Sequence, residues 1–163
     1  MSHAAPYFEL QMKVADKRFC LGVPTEKVTG GVNVNDELER ALLNKYPMIF
    51  SGTDTSRGLD THWVIECGDG WYPILEKLCE EIQGGVVKHY APKVKFTQIK
   101  EKFGELRVYY SGCDQYVEKL IDLAVATSKS TCEQCGAQGA SQRTCHGWIK
   151  TFCTDCFDNT NKL

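Results

Sequence analysis

The chain has 163 residues, 42% of them hydrophobic, and a formal net charge of −2. That is enough apolar material for one domain of ordinary size, or one with a small appendage, and it excludes a disordered polyelectrolyte and a strongly basic nucleic-acid-binding protein. No apolar run approaches the roughly 20 residues that span a bilayer, and residues 1–10 lack the basic start and apolar stretch of a secretory signal, so a cytoplasmic protein with no membrane association is expected.

In chain order, Phe8, Leu10, Met12 and Val14 alternate with polar neighbours, a period of two that predicts a strand. A turn at residues 15–17 and a second strand over 18–23 would complete an N-terminal β-hairpin, and the Gly- and Pro-rich residues 24–34 read as a connection. Asp36 with Glu39 resembles a capping box, and Leu38, Ala41, Leu42 and Tyr46 follow at helical spacing up to Pro47. Residues 51–60 are a polar loop and 62–67 a short strand. Asp69 is expected to cap a helix whose stripe is Ile74, Leu75, Leu78, Cys79 and Ile82, with Gly84-Gly85 as its stop.

Residues 94–99 and 106–110 predict strands joined through Lys102-Phe103-Gly104, with Leu106, Val108 and Tyr110 on one face and Arg107 and Tyr109 on the other. Asp114 is placed to cap a further helix with the stripe Val117, Leu120, Ile121, Ala124 and Val125. The expected fold is α+β: a small antiparallel sheet packed with about three helices, plus a C-terminal four-cysteine element. The expected organisation is a hairpin extension over residues 1–34, a core over 35–130 and a zinc-binding element over 131–163.

Five of nine cysteines fall within the last 33 residues. Cys132 and Cys135 form one pair, Cys153 and Cys156 another, with 17 residues between the pairs. Two close pairs at that separation fit one Zn2+ ion bound tetrahedrally by four thiolates, and a filled shell makes the site structural. Gly136 suits the tight turn after the first pair. Cys145 and His146 are spare candidates, and Trp148 and Phe152 are expected to cover the site. An element this small has little core of its own, so metal removal should unfold it. Cys20, Cys67, Cys79 and Cys113 are scattered and read as small buried hydrophobes.

Several stretches resemble a family of short, largely uncharacterised proteins of tailed phages and prophages: Lys45-Tyr46-Pro47, Glu66-Cys67-Gly68-Asp69-Gly70-Trp71-Tyr72, residues 100–110 (KEKFGELRVYY), Thr131-Cys132-Glu133-Gln134-Cys135-Gly136 and Gly147-Trp148. The departures are Glu105 where the family tends to have glycine, Val108 where it has phenylalanine, and an intact second cysteine pair. Residues 1–35 match nothing in the family. The resemblance implies a phage accessory protein acting in a bacterial host by binding a host protein, in counter-defence or transcription.

Two surfaces carry other chemistry. His62, Glu66 and Asp69 beside Cys67 and Trp71 offer a donor and two carboxylates to a hydrolase site, although Asp69 as a cap and Trp71 and Cys67 as core explain the same residues. Lys95, Lys100, Lys102, Phe103, Arg107 and Tyr109, with Lys88, Tyr90, Lys93, Phe96 and Tyr110 around them, interleave positive charge with aromatic rings as a nucleic-acid surface does. A solvated strand face above an aromatic core gives the same pattern. Residues 83–130, with 8 basic and 5 acidic side chains, are the one basic region of the chain.

Overall fold

The computed structural model describes residues 34–50, 65–89, 94–112 and 114–162. The N-terminal hairpin, the loop over 51–60 and His62 lie outside the described residues. The elements run α1 (Asp36–Lys45), α2 (Pro47–Phe50), β1 (Ile65–Glu66), a 3-10 turn (Asp69–Trp71), α3 (Tyr72–His89), β2 (Lys95–Lys102), β3 (Glu105–Ser111), α4 (Gln115–Ser128), β4 (Ser141–Cys145), β5 (Trp148–Phe152) and α5 (Thr154–Asn161). The fold is α+β, as the alternation of periods predicts. No helix among the described residues is long and apolar enough to cross a membrane.

The main sheet has the order β1-β2-β3, and β4 pairs with β5 in a separate ribbon. β2 and β3 form the expected antiparallel hairpin, while β1 joins β2 in parallel, with Ile65 opposite Ile99. The register slips between Phe96 and Gln98, which adds one residue to β2 and turns both Phe96 and Ile99 inward despite their odd spacing. Both are fully buried, and Phe96 meets Phe50 of α2 edge to face at 5.7 Å. α3 and α4 pack on each other, and α4 lies against β3. Leu42, Ile65, Trp71, Leu75, Ile82, Leu106 and Val117 fill the space between the layers.

Three local expectations are corrected. The cap of α1 is Asn35, whose side chain accepts the Glu37 amide at 2.8 Å, because Asp69 and Ile65 hold the amides of Asn35 and Val34 and keep the chain extended one residue before Asp36. Glu39 is buried and accepts from the Ile65 amide at 3.0 Å. Asp69 makes no helix cap: it opens the 3-10 turn and accepts from the Asn35 amide at 2.7 Å. Gly84-Gly85 does not stop α3, which continues to His89. A side chain at Gly85 would run into the Tyr116 ring, so this glycine is a notch that lets α4 approach. Asp114 caps α4 as expected, through the Val117 amide at 3.0 Å.

Candidate metal centre

The first cysteine pair sits on a turn fixed by its own backbone. The Cys132 amide donates to Ala137 O at 2.8 Å, the Gly136 amide donates to Cys132 O at 2.9 Å, and Gly136 takes φ 76°, the left-handed conformation its position calls for. The second pair is built on a helix start. Cys153 is the N-cap of α5, and the Cys156 amide donates to its Sγ at 3.5 Å.

The β4–β5 ribbon between the pairs brings these two turns together, and all four Sγ atoms lie within 4.8 Å of one another. Cys135 and Cys153 have their Sγ atoms 3.7 Å apart. A metal–sulfur bond of about 2.3 Å puts the corners of a tetrahedron about 3.8 Å apart, so this pair is already at the spacing of two ligands on one ion and is far too wide for a disulfide. Burial works against ionisation of Cys153, yet hydrogen bonds from the Cys156 amide and from its thiol neighbours outweigh it and hold the Cys153 thiol below its ordinary value. Burial pushes the Cys156 thiol up. A cluster of this kind could hold a metal ion, whose charge would draw off the remaining protons.

Phe152 covers the cluster from inside, packing with Cys132 and Ala140. Trp148 does not: it stands 73% exposed at the β4–β5 turn, which His146-Gly147 make with φ 48° and 83°. The spare candidates stand outside the cluster as well. Cys145 Sγ donates to Asn161 Oδ1 at 3.6 Å and His146 Nε2 lies 3.2 Å from the Thr160 carbonyl, so both brace α5 against the ribbon.

The cysteine turn docks on the 66–71 segment. Gly70 donates to Glu133 O at 2.8 Å, Trp71 Nε1 donates to Thr131 O at 2.8 Å, and Gly68 donates to Glu133 Oε1 at 3.1 Å. The first two reach backbone carbonyls, so they need a close approach. A Cβ at Gly68 would overlap Glu133 O, and one at Gly70 would overlap Cys132 O, Gly136 N and Glu133 O. Glu133, 1% exposed, also meets Lys150 Nζ at 3.3 Å, and Lys150 meets Glu101 of β2 at 2.6 Å. Burial opposes the Lys150 charge, but Glu133 and Glu101 outweigh it and raise its affinity for the proton. Burial pushes the Glu133 carboxyl up. The only sequence hint of this triad is a carboxylate placed between two metal-ligand candidates.

The remaining predicted residues divide in two. Glu66 accepts from Gln98 Nε2 at 3.3 Å and Asp69 from the Asn35 amide, so both are tied to structural partners, while His62 lies outside the described residues. On the hairpin, Lys100 Nζ lies 5.2 Å from the Tyr109 ring centroid and Lys102 Nζ 5.4 Å from that of Phe103. Lys102, Phe103, Arg107 and Tyr109 share one groove with Val108, Tyr110, Ile121 and Val125. Lys95 is exposed at the far end of β2. Tyr90 and Lys93 lie outside the described residues.

Compared with family models, curated proteins and solved structures, the chain gives no match.

Proposed function

We propose that the chain is a non-enzymatic binding protein of the phage accessory kind, braced by one structural zinc ion, that engages a host protein through the tip and outer face of the β2–β3 hairpin. One observation carries the binding role. Phe103 is 61% exposed and has φ 56°, the left-handed region that an L residue with a large side chain avoids. Neither burial nor the turn rewards phenylalanine there; asparagine or glycine would make the same turn at lower cost. An exposed apolar ring kept in an unfavourable backbone conformation points to a contact made outside the chain. Tyr109 beside it and Trp148 and Ile149 on the ribbon are also exposed.

Zinc is the metal that suits four thiolates with no open position, and such a site supplies folding energy and no reaction. Free thiols in this number belong in a reducing compartment, which supports the cytoplasm of a host cell.

The test is affinity capture from bacterial lysate with the wild-type chain, Phe103→Asn and Cys132→Ser. One stoichiometric protein retained by the wild type and lost with Phe103→Asn, at equal or greater stability of that variant, is the expected result. Equal capture by wild type and Phe103→Asn contradicts it. A second reading has its own support in the lysines beside Tyr109 and Phe103, which could let bases stack. Retention on single-stranded DNA that falls steeply with salt would favour it.

A further inference from the structure

The hairpin has a second feature besides its tip. The Leu106 amide donates to Ser128 Oγ at 3.0 Å, so it faces away from β2. Backbone directions alternate along a strand, so Val108, opposite Ile99, turns its amide and carbonyl outward as well. β3 is the last strand of its sheet among the described residues. Between this edge and α4 runs a groove of about 460 Å³. Val108, Tyr110, Ile121 and Val125 give it apolar walls, and Lys102 and Arg107 give it positive charge, with no acidic side chain among the residues that line it. Arg107 shares the single Glu105 carboxylate with Lys129, at 3.0 Å each, so two cations divide one anion at its rim.

We propose that this groove takes an extended acidic segment of the partner protein, added as a fourth strand along the outer edge of β3; the inference rests on the binding role proposed above. A peptide backbone offers donors and acceptors in the alternation that Val108 presents, and its alternate side chains divide between the apolar walls and the two cations. A DNA backbone offers acceptors only and leaves the Val108 carbonyl unmet.

The experiment titrates the full-length, metal-loaded chain with a fluorescein-labelled hexapeptide of alternating Glu and Val. Comparison probes are its Lys–Val counterpart, two Glu–Val peptides N-methylated at one or the other alternate set of amides, and oligodeoxythymidine. The expected result is binding of the Glu–Val peptide with amide NMR shifts at Val108 and Ile121. One N-methylated set and the Lys–Val peptide should each weaken binding by on the order of tenfold or more. Val125→Asp and Arg107→Glu, on two different elements, should each do the same with the fold intact by circular dichroism. No binding of the Glu–Val peptide, indifference to both N-methylations, or the same shifts induced by oligodeoxythymidine would overturn the proposal. A host protein lost with Phe103→Asn but held with unchanged affinity by Val125→Asp also overturns the groove while leaving the binding role in place.

Discussion

Phe103 pays the backbone cost of a left-handed L residue, about 1–2 kcal/mol, and recovers little of it, since its side chain is largely exposed with the Lys102 ammonium 5.4 Å from the ring centroid. Phe103→Asn is therefore expected to raise stability by about 1 kcal/mol in urea unfolding, the opposite sign to an ordinary core truncation. Cys67 and Cys79 make a second case at this scale. Burial pushes both thiols well above their ordinary value of 9.0. The folded state thus keeps protons that the unfolded chain releases, so the stability these thiols contribute is whole below pH 9.0 and declines as pH rises further. The expected loss is about 1.4 kcal/mol per pH unit for each thiol. Urea midpoints at pH 8 and 10.5 should fall more steeply for wild type than for Cys67→Ala/Cys79→Ala, and parallel losses would refute the assignment.

Among the elements, adjacent glycines in α3 have opposite roles. Gly84 has open space where a side chain would go, so Gly84→Ala should stabilise the protein by about 0.5–1 kcal/mol. Gly85→Ala should lose that gain to the Tyr116 ring, and thermal melts of the two variants check the difference in sign. A glycine pair at the end of an apolar stripe reads locally as a stop, and only the crossing of α4 reveals one of them as a contact. The Gly68 and Gly70 positions follow the same logic at the cysteine turn, where backbone meets backbone and neither side can yield. Gly70→Ala should cost about 2–3 kcal/mol and weaken metal retention, measured by unfolding and by competition with a chelator.

In the whole molecule, the cysteine turn and the α+β body share one ion-paired triad, Glu101–Lys150–Glu133, in which Glu133 is buried and its partners are partly so. Lys150→Met leaves Glu133 buried without its cation and should cost about 3 kcal/mol, far more than a surface pair. Metal removal should then act beyond the ribbon. The Gly68 and Gly70 amides donate to Glu133, so a chelator that unravels the cysteine turn also frees them. Hydrogen exchange with and without chelator should show lost protection at Gly68, Gly70 and Trp71; protection confined to loss within residues 131–162 would contradict the coupling.

The sequence alone determined the elements whose signals are local. Period-two and helical stripes located β2, β3, α3 and α4, Asp114 announced its cap, and the spacing of Cys132, Cys135, Cys153 and Cys156 announced a cluster of four thiols, because each close pair is set within its own turn. Tertiary structure decided what depends on distant neighbours: β1 in parallel beside β2, Glu39 and Glu133 as buried acceptors, Gly68, Gly70 and Gly85 as points of close approach, and Cys145 and His146 as braces for α5. The physical reason is that a side chain's environment belongs to the contact it makes, and residues 60 to 65 positions apart in the chain, such as Trp71 and Thr131 or Gly68 and Glu133, leave no trace of their meeting in either local pattern.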